Sequence, residues 1–345
     1  MGEFSMIRYP SLQAGAVIGT TAPSSGVQAE MHELLKLAVS RMESKGFKIV
    51  CGDTVWTQAK ATSAAAQVRT AEFNQMMADE RIQMIIPPWG GELLVEILED
   101  IAWDQIKSKW ILGYSDISVL LLAITLRTGI ATAHGTNLID LRGEITDGTT
   151  AMWSEVLAAQ ADESILQHSS SRYQKEWNFA EPSPCVFHLT EPTRWKSTSG
   201  ADVHMQGRLL GGCIDVIRHL IGTPFGDVRY FQQHYIGNEP VLWYLENCEM
   251  SVTDLRRSLV QMKLAGWFAN SAGLMFGRSA ANRPVEDYTA EDVYQALSEE
   301  LQLPVLYDID CGHVPPQLTF INGAYAEVEM NAAEGSASVK QTFRP

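Results

Sequence analysis

The chain lacks most of the short motifs that mark an enzyme dependent on a cofactor or a metal. It has no glycine-rich lysine loop for nucleotide phosphates, no G-x-G-x-x-G after the first predicted strand, and no H-E-x-x-H or close pair of histidines. Its five cysteines are widely scattered without a C-x-x-C pair, which is typical of reduced thiols in a cytosolic protein. If the chain is an enzyme, these absences predict one that needs neither cofactor nor metal.

Positive charge and long apolar runs are also scarce. The 26 Lys and Arg residues face 41 Asp and Glu residues, the formal net charge is -15, and no run of five basic residues occurs. Because such a surface repels phosphate groups, we predict that neither nucleic acid nor an anionic membrane is a partner. The sequence has no stretch of about 18 apolar residues and no secretory signal, which predicts a cytoplasmic protein without a transmembrane helix.

The 345 residues, 46% of them hydrophobic, can bury a large core and suggest two domains. Short apolar strands alternate with longer helices in the first part of the chain, a pattern that predicts βαβ units and a parallel sheet. We therefore predict an α/β fold with a Rossmann-like, parallel-sheet N-terminal domain over residues 1–165. Residues 166–200, rich in Ser, Gln, Pro and Thr, predict a connection or lid, and residues 201–345 a mixed α/β C-terminal domain.

Two local patterns predict specific elements in the C-terminal domain. Gly211-Gly212 lies within an apolar segment, 208–220, that we predict as a helix. Asn322-Gly323 is the strongest short signal for a β-hairpin, here between strands predicted on either side of it. The other elements predicted in this domain are helices over 254–268 and 290–301 and strands over 241–245, 274–276 and 305–309.

The most informative segment is Gly113-Tyr114-Ser115-Asp116, where an apolar strand ends and an apolar helix begins. A serine on such a tight turn has its hydroxyl pushed out of the sheet, and the next backbone N–H faces the same space at the positive end of the helix. Hydrolases present a nucleophile in this way. The four residues taken alone favour a simpler interpretation, in which Ser115 or Asp116 caps the helix.

An acyl-transfer serine needs a base to take its proton and an acid to orient that base. Glu246 ends the apolar strand predicted over 241–245, and His313 follows the strand predicted over 305–309. Taken singly, Glu246 is explained by a salt bridge and His313 by an ordinary loop position. Taken together with Ser115, three triad-type residues at three strand ends favour catalysis.

The reaction also needs hydrogen-bond donors for the oxyanion. The backbone N–H of Asp116 is one candidate, and Gly90 or Gly91, in a loop between another strand and helix, is the second, although a helix-start turn uses the same residues. Cys311 is a rival nucleophile close to His313. Neighbours on one short segment rarely reach each other productively, so we interpret Cys311 as a buried thiol.

Five ordered blocks resemble the serine peptidase family of LD-carboxypeptidases and microcin C self-immunity proteins. The resemblance runs from about residue 15 to residue 328, and its blocks are 90–91 (GG), 113–117 (GYSDI), 207–213 (GRLLGGC), 244–247 (YLEN) and 311–313 (CGH). It implies an N-terminal domain with the nucleophile, a C-terminal domain with Glu and His, a homodimer, and no metal. By this match Ser115 is the nucleophile, His313 the general base and Glu246 the residue that orients it.

The resemblance is closer to the microcin-immunity branch than to the murein enzymes. Murein LD-carboxypeptidases usually carry Arg before the two glycines, and this chain has Trp89 there, which we predict as a substrate-binding residue. The branch implies hydrolysis of the amide of a peptidyl- or aminoacyl-nucleotide. An aromatic side chain can stack on a purine, and Trp177 and Trp195 are candidates, although each also fits a core position. A murein tetrapeptide substrate and a non-catalytic protein that binds a small molecule are the alternatives.

Overall fold

The structure is a computed structural model that describes residues 5–176 and 184–345. It has two large β-sheets with helices packed against them. The strands are β1 (Val17–Thr20), β2 (Lys48–Cys51), β3 (Ile82–Ile85), β4 (Trp110–Gly113), β5 (Thr132–His134), β6 (Ser164–His168), β7 (Arg172–Tyr173), β8 (Glu191–Pro192), β9 (Lys196–Ser197), β10 (Val203–Cys213), β11 (Val241–Glu246), β12 (Ser271–Gly277), β13 (Val305–Ile309), β14 (Phe320–Asn322), β15 (Tyr325–Asn331) and β16 (Ser336–Thr342).

The α-helices have between 4 and 13 residues, and several 3-10 helices lie between the strands and helices. They are α1 (His32–Ser44), α2 (Ala66–Ala78), α3 (Ile117–Thr128), α4 (Gly148–Ala151), α5 (Trp153–Ala158), α6 (Ile214–Ile217), α7 (Val228–Phe231), α8 (Val252–Leu264) and α9 (Ala290–Leu301). Over the described residues, none of them has both the length and the apolar surface needed to cross a bilayer. The segment that follows the Gly90-Gly91 loop is a 3-10 helix, Leu94–Asp100.

The first sheet has the order β14-β5-β4-β3-β1-β2, and β1 to β5 run parallel. Parallel neighbours need crossover connections, which the helices between them supply. Because the carboxyl ends of parallel strands meet at one edge, the loops after β3 and β4 lie side by side. The predicted α/β class with a parallel sheet in the N-terminal part is confirmed.

The second sheet has the order β6-β16-β15-β10-β11-β12-β13-β9. Its centre, β10 to β13, is parallel, and antiparallel strands flank it on both sides. Helix α3 contacts both β5 of the first sheet and β10 of the second, and its apolar side chains are buried on all sides. The two sheets therefore share one core, which fixes their carboxyl-end loops relative to each other.

Two predictions for the C-terminal part are wrong. The segment Val203–Cys213 is a strand, and the helix follows it only at Ile214–Ile217. Gly211 belongs in the centre of this sheet because a Cβ there would lie 1.7 Å from the Tyr244 carbonyl oxygen. Asn322-Gly323 does not close a hairpin: β14 pairs with β5 of the first sheet, and the hairpin lies further on, between β15 and β16.

The predicted connection over 166–200 also contributes strands. β6 joins β16 at the edge of the second sheet, β9 pairs with β13 at its other edge, and β7 and β8 pair with each other. This segment is therefore tied to the C-terminal sheet at two points. The domain limits at residues 165 and 200 stay predictions.

Candidate active site

Ser115 lies on the turn between β4 and α3. Its φ is 65°, a left-handed value that residues other than glycine rarely adopt. Its carbonyl accepts a hydrogen bond from the Ser118 N–H at 2.9 Å, where the helix begins. Strained backbone of this kind persists where the surrounding packing enforces it and often marks a functional residue. The buried helix α3 supplies that packing here.

The helix-cap interpretation does not describe this turn. Asp116 is at the N-cap of α3, but no side chain caps the helix there. The Asp116 carboxylate instead turns away and accepts from Ser24 Oγ at 2.5 Å and from the Leu94 N–H at 2.8 Å. It therefore fixes the turn to two neighbouring loops and leaves the Ser115 side chain to point into the cleft.

Ser115, His313 and Glu246 form a continuous chain of hydrogen bonds. Glu246 is the last residue of β11 and is fully buried, and His313 follows β13. His313 Nδ1 lies 2.9 Å from Glu246 Oε2, and His313 Nε2 lies 2.9 Å from Ser115 Oγ. With Nδ1–H donating to the carboxylate, Nε2 accepts the serine proton, which is the tautomer that a general base requires.

The carboxylate and the imidazole shift each other's pKa. Burial by itself would lower the pKa of His313, but the Glu246 charge and hydrogen bonds to Cys248 and Glu246 raise it well above its usual range. Burial would raise the pKa of Glu246, but the nearby His313 lowers it below the usual value. The arrangement therefore favours an imidazolium next to a carboxylate, the state that forms when serine loses its proton.

A partly buried carboxyl group, that of Asp140, supports the Tyr114 side chain next to the histidine. The Tyr114 ring packs edge-on against the His313 ring with centroids 5.1 Å apart. The Tyr114 hydroxyl hydrogen-bonds to Asp140, and desolvation raises the pKa of the Asp140 carboxyl to about 6. The predicted site did not include this pair, because nothing in the local sequence around Asp140 marks it.

The Ser115 hydroxyl opens into a cleft of ≈ 360 Å³. Its walls combine apolar surface with hydroxyl, amide and backbone groups, which suits a peptide-like ligand. The residues that line it are Ser25, Gly26, Gln28, Gln58, Trp89, Gly90, Gly91, Tyr114, Ser115, Asn137 and His313. Sequence reasoning missed Ser25, Gln28, Gln58 and Asn137, which come from segments without a recognisable motif.

Both glycines of the predicted oxyanion loop lie at this cleft. A Cβ on Gly90 would lie 2.6 Å from Ser115 Cβ and 3.2 Å from the Asp116 nitrogen, so the loop touches the serine turn directly. Gly91 has a φ of 146° and a Cβ there would meet the Ser24 and Ser25 hydroxyls. Only glycine allows the backbone to come this close.

The three tryptophans assigned to substrate binding have different positions. Trp89 lines the cleft, and its indole N–H donates to the Gly26 carbonyl at 3.0 Å, which holds the ring in place. Trp195 requires a correction: it is 1% exposed in the core of the second sheet and donates to Asp310 at 2.8 Å, so it has no surface for a ligand. Trp177 lies outside the described residues.

Two cysteines surround the Glu246–His313 pair. Cys213 ends β10 directly opposite Glu246 in the sheet, and ligand atoms of Cys213, Glu246 and His313 all lie within 4.8 Å of one another. Cys248 hydrogen-bonds to His313. Cys311, in contrast, is fully buried 4.0 Å from the Nδ1 atom of His134, and the interpretation as a buried thiol is confirmed.

Comparison with known proteins defines the class. The chain matches the LD-carboxypeptidase N-terminal domain over residues 18–135 and the LD-carboxypeptidase C-terminal domain over residues 206–328. It therefore belongs to the LD-carboxypeptidase family of serine peptidases, as the sequence blocks predicted. This family membership covers both sheets.

Individual relatives come from both branches of the family. The chain is 24% identical to the microcin C7 self-immunity protein MccF of Escherichia coli, over 93% of this chain and 92% of that one. It is 25% identical to the "Probable murein peptide carboxypeptidase" of Bacillus subtilis, over 98% of this chain and 96% of that one. The sequence comparison thus leaves the branch open.

Solved structures share the fold over nearly the whole chain. MccF in complex with aspartyl sulfamoyl adenosine superposes with a TM-score of 0.81 at 20% identity, covering 99% of this chain and 100% of that one. A muramoyltetrapeptide carboxypeptidase from Oxalobacter formigenes superposes with a TM-score of 0.72 at 17% identity, covering 96% and 100%.

Proposed function

We propose that Ser115, His313 and Glu246 act as the nucleophile, the general base and the orienting carboxylate of an amide hydrolase. The observation that carries this proposal is the unbroken hydrogen-bond chain from Glu246 through His313 to Ser115, with both links at 2.9 Å. Nucleophile, base and orienting acid within hydrogen-bond reach of each other are the arrangement that activates a serine.

The reaction follows from this geometry. Ser115 Oγ attacks the carbonyl carbon of the amide while His313 Nε2 takes the hydroxyl proton, and Glu246 stabilises the imidazolium. His313 then gives the proton to the leaving nitrogen as the C–N bond breaks, which leaves an ester on Ser115. A water molecule that loses its proton to His313 hydrolyses this ester and restores the serine hydroxyl.

Backbone amides would stabilise the negative oxygen of the tetrahedral intermediate. The Asp116 N–H lies at the start of α3, where the helix dipole favours negative charge, and Gly90 or Gly91 is the second donor. The close approach of Gly90 to Ser115 and Asp116 supports this assignment. None of these steps needs a metal or a cofactor.

The substrate we favour is a peptidyl- or aminoacyl-nucleotide. Trp89 supports this choice, since it lines the cleft beside Ser115 at the position where murein enzymes usually carry Arg. A flat indole can stack on a nucleobase, and such stacking contributes about 1–3 kcal/mol per base. The relative MccF has been solved with aspartyl sulfamoyl adenosine and with glutamyl sulfamoyl guanosine.

A murein tetrapeptide is the second candidate, because the Bacillus subtilis relative is named for murein peptides and aligns over nearly the whole chain. Mass spectrometry of the products separates the two. The protein is incubated with aspartyl sulfamoyl adenosine and with a murein tetrapeptide, and we expect free aspartate from the first and no D-alanine from the second. Release of D-alanine alone would assign the chain to the murein branch.

The same experiment addresses the non-catalytic alternative. If the protein only binds a small molecule, calorimetry detects binding of both compounds or of one, and no product forms. The Ser115→Ala variant is the control, since it retains the cleft and lacks the nucleophile. Assembly as a homodimer and location in the cytoplasm stay predictions.

A further inference from the structure

We infer that Cys213 forms, with Glu246 and His313, a binding site for a thiophilic divalent cation such as Zn²⁺, and that occupation of this site inhibits the enzyme. The binding part stands on the geometry alone, and the inhibition rests on the proposed function. The site lies behind the imidazole, on the side opposite Ser115.

The donor atoms match the preferences of zinc. Cys213 Sγ, a Glu246 carboxylate oxygen and a His313 ring nitrogen lie within 4.8 Å of one another. Zinc takes thiolate, imidazole and carboxylate ligands at about 2.0–2.3 Å in a tetrahedron, which separates ligand atoms by about 3.3–3.7 Å. The widest separation among these atoms therefore has to close by about 1–1.5 Å for the ion to bind.

An unpartnered carboxylate oxygen at this place favours occupation. Glu246 Oε1 is buried and has no hydrogen-bond partner among the residues that the structure describes. A thiolate at Cys213 and the Glu246 carboxylate together carry two negative charges, which balance a divalent cation in a place where unpaired charge is costly. The Cys213 thiol releases its proton to solvent when the ion binds.

Cys248, next to His313, is partly exposed, whereas Cys213 is buried. The backbone N–H groups of Cys248 and Glu249 donate to Asp215 at 2.9 Å, so the loop that carries the exposed thiol is held in place. An ion can therefore approach from the side of Cys248, and a water molecule can complete its four-coordinate geometry.

Inhibition follows from the histidine tautomer. In the active arrangement the single ring proton is on Nδ1 and Nε2 accepts from Ser115. A cation on Nδ1 replaces that proton, and a neutral ring then carries its proton on Nε2. The nitrogen that faces Ser115 becomes a donor and cannot take the serine proton, so attack on the substrate stops.

The test uses Co²⁺ and Zn²⁺ on the full chain. Thiolate–cobalt charge-transfer absorption reports binding, and Zn²⁺ inhibition of turnover reports the consequence. We expect one equivalent of Co²⁺ to give the absorption band in the wild type and in the Ser115→Ala variant, and Zn²⁺ to inhibit the wild type. Cys213→Ser should weaken metal affinity and inhibition by at least about tenfold, the usual effect of disturbing a metal ligand's environment.

Controls keep the result independent of folding and of the proposed function. Cys51→Ser, at a partly exposed thiol at the end of β2 in the other sheet, should leave the band and the inhibition unchanged. Cys213→Ala provides a second variant if Cys213→Ser does not fold. No band in the wild type, or a band that survives the loss of the Cys213 thiol, overturns the site. A band without Zn²⁺ inhibition of an active enzyme overturns the regulatory part.

Discussion

The two sheets contribute to the candidate site in different ways. The first sheet supplies Ser115 and the glycine loop, and its contribution is positional: a strained turn, close backbone contact and the start of a helix. The second sheet supplies Glu246 and His313, and its contribution is electrostatic: a buried carboxylate that shifts the pKa of its partner. The hydrogen bond from Ser115 to His313 joins the contribution of the first sheet to that of the second.

This difference means that substitutions in the two sheets should fail in different ways. Changes in the first sheet should remove or displace the nucleophile and leave the acid–base behaviour of the Glu246–His313 pair intact. Changes in the second sheet should leave the nucleophile in place and alter its activation and the pH dependence. The following variants test this distinction, in order of decreasing effect.

The substitution Ser115→Ala should have the largest effect. Without the hydroxyl no acyl-enzyme can form, so we expect kcat to fall by about 10⁴-fold or more. The thermal midpoint should stay near the wild-type value, because the side chain faces the cleft. Ser154→Ala, at a partly exposed serine on α5, is the control and should keep full activity. Wild-type turnover in Ser115→Ala would disprove the assignment.

The substitution Glu246→Gln should reduce kcat by about 10³- to 10⁴-fold, because an amide cannot stabilise the imidazolium and can hold the ring in the wrong tautomer. Steady-state kinetics measures the loss. Glu327→Gln, at a partly exposed residue that pairs with Lys340, is the matched control and should change little. A loss of less than tenfold with an intact fold would contradict the role of Glu246.

The substitution Gly90→Ala tests the loop of the first sheet. The added carbon would lie 2.6 Å from Ser115 Cβ, so the loop or the serine turn has to shift. We expect kcat to fall by about 10²- to 10³-fold, the usual effect of losing an oxyanion donor. Gly148→Ala is the control, since nothing lies within 4 Å of a Cβ there. Equal activities of the two variants would exclude close contact of Gly90 with the reacting atoms.

The pH profile should show the smallest but most specific effect. His313 must be neutral to act as a base, and its pKa is raised, so kcat/KM should rise with pH through a value above 6.5. In Glu246→Gln the residual kcat/KM should rise with pH over a lower pH range, because burial without the carboxylate charge lowers the histidine pKa. If kcat/KM of the wild type rises with an apparent pKa at or below 6.5, the proposed effect of Glu246 on the pKa of His313 is contradicted.

The strand-end residues were predictable because parallel strands bring their carboxyl ends to one edge. Ser115, Glu246 and His313 each lie at or after the end of an apolar strand. The strand pattern therefore predicted that each lies at the carboxyl edge of its sheet, where α/β proteins usually bind their ligands. Family resemblance then supplied their roles. The cysteine at position 213 was not recognised, since only the strand register places it opposite Glu246.

The errors have a common physical cause, which is that long-range packing overrides local preference. Asn322-Gly323 has strong hairpin character, but the strand before it finds its partner in β5, almost two hundred residues away in the chain. The two glycines at 211 and 212 weaken a strand in isolation and are required here by close contacts with Tyr244 and Ser118. Trp195 was predicted in a lid, as a candidate for ligand stacking. Its ring is instead buried, and its indole N–H donates to the buried Asp310.

The most direct test of the account is a double-mutant cycle between the sheets, measured as kcat on the hydrolysed substrate. Ser115→Ala, Glu246→Gln and the double variant are compared with the wild type. If the dyad acts only through Ser115, the double variant should be no slower than Ser115→Ala alone, because the two residues work as one unit. If the two losses multiply instead, Glu246 and His313 do not act through Ser115, and the proposed triad is wrong.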